Sequence, residues 1–357
     1  MNHDDSVLLH TEGHLRHITL NRPRALNALN HAMVLRIDEA LAEAERDDSV
    51  IAVLITGAGE RGLCAGGDIR SIHDDARAGG TASTAFWRDE YRLNARIARY
   101  PKPYVAIMDG IVMGGGVGVS AHGDVRVVTE RSRVAMPETG IGFVPDVGGT
   151  RLLGSAPGEL GTHLALTAQA AGAGDALLCG LADHFVPTRD LAALTAELAD
   201  CGTPGEIEAT VRDHAGPAPD SELAAHREWI DACYRADSVE EILDRLDGSG
   251  VPAAGRAAET IRAKSPTALK VTLSALRRAR ELDSLEAVLD QEYRTSCTAF
   301  AGADLVEGVR AQIIDKDRSP RWSPAELAQV TEEDVARFFA PLGDRELGLA
   351  PARWTVG

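Results

Sequence analysis

The chain reads as an α/β protein, and three observations predict this. Short β-prone runs alternate with helically spaced apolar residues over the first 190 or so residues; two glycine-rich turns each follow a continuous apolar run; and beyond Asp190 the β-prone runs vanish while Ala, Leu, Glu and Arg recur at helical spacing. The expected organisation is an α/β core over residues 1–190 that carries the candidate site, and a helical region over residues 191–357.

Each element has its own local reason. Val7–His10 and Leu15–Leu20 are β-prone runs around Glu12-Gly13-His14, which reads as a hairpin ending at the Asn21-Arg22-Pro23 turn. Asn30 is a candidate N-cap for a helix whose apolar face is Met33, Val34, Ile37, Ala40, Leu41 and Ala44. Val50–Thr56 is a continuous apolar run and therefore a buried strand. A helical pattern around Ala85–Arg99 precedes the next buried strand, Tyr104–Met108, and Val125–Thr129 and Arg133–Met136 are further strand candidates. Leu160–Thr167 and Ala176–Gly180 look helical. In the second part, Gly202–Gly205 and Gly248–Pro252 are candidate connections, and Ser265-Pro266-Thr267 opens a helix with proline at an early position.

Composition bounds the function. With 357 residues, 44% apolar and 25% charged, the chain can bury a sizeable core. A net charge of −17 opposes sequence-independent phosphate binding, so no nucleic-acid partner is expected, and it gives no pull toward anionic membranes. No run of 18 apolar residues exists, so no membrane span is expected. Five cysteines without a CxxC pair argue for a reducing compartment. The acidic start MNHDDSVLLH has neither signal-peptide nor transit-peptide character, and with the Ala/Arg-rich composition the expectation is a cytoplasmic protein.

The chemistry is concentrated in two turns and two loops. Gly62-Leu63-Cys64-Ala65-Gly66-Gly67-Asp68-Ile69 and Met113-Gly114-Gly115-Gly116-Val117-Gly118 each follow a buried strand. Such glycines suit positive φ or a close approach of backbone to a ligand. Two backbone N–H groups from different strand ends, converging on one carbonyl oxygen, would form an oxyanion hole. Neither turn fits a dinucleotide fingerprint or a phosphate loop. Glu138 in Met136-Pro137-Glu138-Thr139-Gly140 and Asp146 in Pro145-Asp146-Val147-Gly148-Gly149 lie in loops at element ends, where catalytic groups are commonly mounted. No GxSxG elbow and no zinc-ligand spacing appears, so no metal is expected. His122, His163 and His184 read as core or surface histidines, and Cys64 as a small packing residue.

With CAGGDI at Cys64–Ile69 and MGGGVG at Met113–Gly118, the chain resembles the crotonase, or enoyl-CoA hydratase/isomerase, superfamily. His122-Gly123, Ala135–Thr139, Ile141–Gly149 with its PDVGG, Ser265–Lys270, Glu307–Arg310 and IDKD at Ile314–Asp317 narrow the resemblance to the 3-hydroxyisobutyryl-CoA hydrolase family within it. The resemblance spans nearly the whole chain. It implies a crotonase-like spiral of ββα units with a helical C-terminal region, and hydrolysis of an acyl-CoA thioester in valine catabolism.

By motif, the oxyanion donors map onto Gly67 and Gly115, with Gly66, Asp68 and Gly114 beside them at the substrate, Glu138 and Asp146 as catalytic residues and Glu90 as a substrate contact. Hydratases of the superfamily use two glutamates, and Gly118 stands where the first belongs, which puts water addition by that route in doubt. Enoyl-CoA hydration or isomerisation is the alternative reaction, and a non-catalytic binding protein on the same scaffold the alternative class. No cofactor is implied beyond coenzyme A as part of the substrate, and a homo-oligomer is expected. Arg16, Arg22 and Arg70 are candidates to meet the coenzyme A phosphates.

Overall fold

The structure is a computed structural model and describes residues 6–350. Its described strands are β1 (Val7–Glu12), β2 (Leu15–Leu20), β3 (Ala52–Gly57), β4 (Tyr104–Met108), β5 (Ile111–Met113), β6 (Val125–Val128), β7 (Arg133–Ala135) and β8 (His184–Phe185). β1 and β2 form the expected antiparallel hairpin, with Val7 opposite Leu20 and Gly13 at φ +55° in the turn. β3, β4, β6 and β8 then add in parallel, giving a six-stranded sheet of order β1-β2-β3-β4-β6-β8. β5 and β7 pair in parallel as a separate small sheet. The two-residue β8 is too short to leave a pattern in the sequence, which is why His184 read only as a core or surface histidine.

Helix α1 (His31–Arg46) forms as its pattern dictates. The Asn30 side chain accepts the Met33 N–H at 2.9 Å, and Met33, Val34, Ile37, Ala40, Leu41 and Ala44 are its buried face. The helices α2 (Ile69–Ala78), α3 (Ala82–Ile97) and α4 (Gly115–Gly118) follow in the α/β half. The segment Met113–Gly118, read as one glycine-rich turn, resolves into the end of β5, a single turn residue at Gly114 and α4. After β8 every described element is helical.

Two compact units divide the chain, and they do not follow a linear division at residue 190. The first comprises Met1–Asp68, Arg96–Met136 and Gln169–His226, and it holds all the described strands. Its core joins Leu54, Val105, Ile107 and Val127 from the sheet to Leu194 and Leu198, and to Ile207 and Val211, of the helices Leu191–Asp200 and Pro204–His214. Those two helices have their apolar faces on the sheet, so their helical composition does not place them apart from it. The second unit, Ile69–Ala95, Pro137–Ala168 and Arg227–Gly357, has only helices and loops among its described residues. It includes α2 and most of α3, which depart from the β3–β4 connection, and the segment that carries Glu138 and Asp146. Buried Glu159 ties it together internally, accepting from Arg277 at 2.8 Å and from Arg280 at 3.1 Å.

Candidate functional site

In the first unit the two glycine turns lie side by side. Cys64 pairs in parallel with Val112: its N–H donates to the Ile111 carbonyl at 3.1 Å and its carbonyl accepts from Met113 at 2.9 Å. On the other side, Leu29 donates to the Gly66 carbonyl at 2.8 Å and accepts from Asp68 at 2.7 Å. Those two bonds straddle Gly67, so its own N–H points away from Leu29 and takes no part in this pairing. Gly115 begins α4, where a first-turn N–H has no intrahelical acceptor. A Cβ placed on Gly66 would lie 3.7 Å from the Gly115 nitrogen, which fixes how near the two turns are.

The glycines there answer to two separate constraints. Gly114 sits at φ +49°, ψ −119°, a conformation closed to side chains, and its N–H reaches the Ala135 carbonyl at 3.2 Å. Gly116 is set by contact instead: a Cβ would fall 2.4 Å from the Cys64 carbonyl oxygen. Cys64, itself fully buried, is thus a packing residue of the turn. Asp68 is engaged by Arg22 at 2.8 Å.

In the second unit the carboxylates form a buried group. Glu138 opens a short 3₁₀ turn, Glu138–Ile141, and is 6% exposed, with Oε2 lacking any hydrogen-bond partner. Burial, then the neighbouring Asp146, pushes its pKa well above the usual carboxylate range. Asp146, 5% exposed, is raised to about 7 by burial, against a hydrogen bond of 2.7 Å from the Tyr91 hydroxyl. The same Tyr91 oxygen lies 2.8 Å from Ser296 Oγ. Glu90, at 2% exposure, is raised by burial and by Asp146, and its Oε1 is unpartnered. The structure therefore brings Glu90, Glu138 and Asp146 into mutual electrostatic contact.

Three further residues complete this group, and pattern reading passed over all of them. Glu292 of the helix Leu285–Phe300 accepts the Gly148 N–H at 2.6 Å, the Thr150 N–H at 2.9 Å and the Thr150 hydroxyl at 2.6 Å. It caps the short helix Gly149–Gly154, so Asp146 does not act as the N-cap its position before a helical stretch would suggest. Burial raises Glu292 to about 8, despite those donated bonds. Tyr91 holds Asp146 as described. Asn94 is 0% exposed and neither Oδ1 nor Nδ2 has a hydrogen-bond partner, an arrangement that costs about 1–3 kcal/mol per unmade bond. Glu90, Tyr91 and Asn94 share one face of α3, a grouping that helical spacing exposes only once that face is known to be buried.

The remaining candidates have ordinary employment. Arg70 donates to the Ile313 carbonyl at 2.8 Å, Arg22 to the Ala28 carbonyl at 2.6 Å as well as to Asp68, and Arg16 lies 3.9 Å from Glu43. His163 is buried against Tyr234 at 2.9 Å. Among the described residues one trio, His10, Glu12 and His17 on the β1–β2 hairpin, has potential metal-ligand atoms within 4.8 Å of one another.

Residues 15–339 match the family model described as enoyl-CoA hydratase/isomerase, and the chain belongs to that family, with the crotonase-like α/β fold its motifs implied. Its curated relatives carry a narrower name. A chicken protein, 43% identical over 97% of this chain and 92% of its own length, and a human protein, 42% identical over 96% and 90%, are both named 3-hydroxyisobutyryl-CoA hydrolase, mitochondrial. Among solved structures, one described as a carnitinyl-CoA dehydratase from Mycobacterium thermoresistibile superposes with a TM-score of 0.92 at 54% identity, covering 96% of this chain and 98% of that one. An enoyl-CoA hydratase from Rhodobacter sphaeroides gives 0.89 at 44% identity, covering 96% and 99%. The relatives named as mitochondrial overturn the cytoplasmic expectation. That expectation leaned on the first ten residues, of which 1–5 lie outside the described residues. No helix among the described residues is long and apolar enough to cross a membrane.

Proposed function

We propose that the chain hydrolyses 3-hydroxyisobutyryl-CoA to 3-hydroxyisobutyrate and coenzyme A. The observation that carries the reading is the Glu138 carboxyl, buried, raised in pKa and with one oxygen unpartnered. Such a carboxylate, once ionised, is a stronger base and nucleophile than one in water. In the proposed reaction Glu138 takes a proton from water as the water oxygen adds to the thioester carbonyl carbon. The N–H groups of Gly67 and Gly115 stabilise the oxyanion, with Gly66, Asp68 and Gly114 holding the turns at the substrate. Collapse expels the thiolate, which recovers the proton from Glu138. In the covalent variant Glu138 itself attacks the carbonyl carbon and the CoA thiolate is expelled; water then opens the mixed anhydride, regenerating the Glu138 carboxylate and giving up its proton to the thiolate. Asp146 orients Glu138, and Glu90 contacts the acyl group. The route draws only on the protein's own groups, coenzyme A being part of the substrate. The net charge of −17 supports the absence of a nucleic-acid partner, and homo-oligomeric assembly is proposed alongside.

The test is thiol release from 3-hydroxyisobutyryl-CoA by wild type and Glu138→Gln. The variant should lose on the order of 10²-fold or more; retention of most activity would refute the role of Glu138. Single turnover in ¹⁸O-water separates the routes, since label enters Glu138 only through the anhydride. The dehydratase and hydratase names of the two solved structures favour a second reading, a lyase reaction on an unsaturated acyl-CoA. Against it stands the buried Gly118 of α4, which supplies no second carboxylate at that turn. Consumption of crotonyl-CoA without thiol release would decide for the lyase.

A further inference from the structure

We propose that Asn94, with Glu90, forms a subsite for the hydroxyl group of the acyl chain. Residues 87, 90, 91 and 94 follow the i, i+3, i+4, i+7 spacing of one helical face, and Asn94 falls on the stripe between Glu90 and Tyr91. That stripe faces the Glu138 segment. Trp87 stacks on Phe143 with ring centroids 5.3 Å apart, the Phe143 N–H donates to the Glu138 carbonyl at 3.0 Å, and the Tyr91 hydroxyl reaches Asp146 at 2.7 Å.

At this stripe two adjacent turns of α3 present polar atoms that nothing in the fold satisfies: both ends of the Asn94 carboxamide, and Glu90 Oε1. A buried carboxamide is normally retained for its hydrogen bonds, so one without partners points to a ligand. The carboxamide offers donors and an acceptor, and buried Glu90 adds its unpartnered Oε1. The acyl group provides three kinds of neighbour. A methyl offers neither function, and the thioester carbonyl only accepts. The hydroxyl alone both donates and accepts, and it alone uses both ends of the amide.

The subsite rests on the acyl-CoA reading but not on the reaction chosen for it, so the test reads binding. In the Glu138→Gln background, affinity for 3-hydroxyisobutyryl-CoA and for isobutyryl-CoA, which differs only by the hydroxyl, is measured calorimetrically with and without Asn94→Leu. The hydroxylated ligand should be preferred roughly 10- to 100-fold with Asn94 present, and the ratio should fall toward one in the Asn94→Leu variant, which lacks the amide. Because leucine replaces an unpartnered buried amide by an apolar group of similar shape, the melting temperature should hold or rise. A purely structural asparagine would lower it and weaken both ligands alike. Preference that survives Asn94→Leu, or an equal loss for both ligands, would overturn the proposal, and Asn94→Ala, which removes the amide without adding bulk, gives the same reading should leucine fail to fold. Lost preference stands as support even if the wild type releases no thiol, since that result would count against hydrolysis alone.

Discussion

Glu292 accepts the Gly148 N–H at 2.6 Å, and through that bond a mid-helix residue sets the loop that carries Asp146 two positions earlier. The loop needs such an anchor. Val147 and Gly148 both lie at positive φ, +53° and +82°, and the valine has no intrinsic reason to be there. Glu292→Gln keeps the shape but turns an NH₂ group toward one of the three donors from Gly148 and Thr150. We expect a loss of about 1–3 kcal/mol in chemical denaturation, together with lower turnover.

The contact between Gly116 and Cys64 predicts a contrast between two glycines. At Gly116 an added methyl meets the Cys64 carbonyl oxygen at 2.4 Å, a backbone atom held in the bridge to Val112, so Gly116→Ala forces the two turns apart. The expected cost is about 1–3 kcal/mol with loss of activity. Gly205, in the helix Pro204–His214, has nothing within 4 Å of its added Cβ, and Gly205→Ala should be neutral or stabilise by up to about 1 kcal/mol. Thermal melts of the two variants side by side check both.

A buried carboxyl with a raised pKa makes stability depend on pH in a defined direction. Folded Glu138 holds its proton to higher pH than the unfolded chain, whose value is near 4.5. Its contribution is therefore fully present below about 4.5 and is lost as pH rises through the folded value. Glu138→Gln removes this pH dependence. Across urea titrations at increasing pH, the variant should gain stability relative to wild type, most clearly above about pH 5; a difference that is flat with pH would mean that Glu138 titrates normally.

The sequence carried the elements whose stability is local. Helix α1 was legible because Asn30 and six apolar residues state both its start and its face. The glycine turns and Glu138 were legible because positive φ, close approach and loop placement restrict residue type within a few positions. Glu292 and Asn94 were not. Each is a polar residue inside a helix, where the pattern rule sends polar residues to solvent, and only tertiary packing reverses that. Along Leu285–Phe300 the hint was present in a run of small and polar residues, Gln291, Glu292, Thr295 and Ser296, all of which are buried. The compact units escaped for a similar reason: α2 and α3 sit early in the chain but belong with the helices that follow residue 227.

Asp146 and Tyr91 together predict two shifts of the same sign in one pH profile. Asp146 raises the pKa of Glu138 by its charge, while the Tyr91 hydroxyl lowers that of Asp146 by donating to it. Asp146→Asn removes the charge yet still offers an oxygen to Tyr91, so Glu138 should ionise at lower pH and the acidic limb of kcat/KM should move down, at reduced maximal rate. Tyr91→Phe removes the donor, so Asp146 holds its proton longer and carries less charge where Glu138 titrates, and the acidic limb should move down as well, by less than in Asp146→Asn. Thiol release measured between about pH 5 and 9 for the three proteins reads both shifts. A limb that moves up in either variant, or that neither variant moves, would show that it belongs to a group outside this cluster, because Asp146 carries less charge in both.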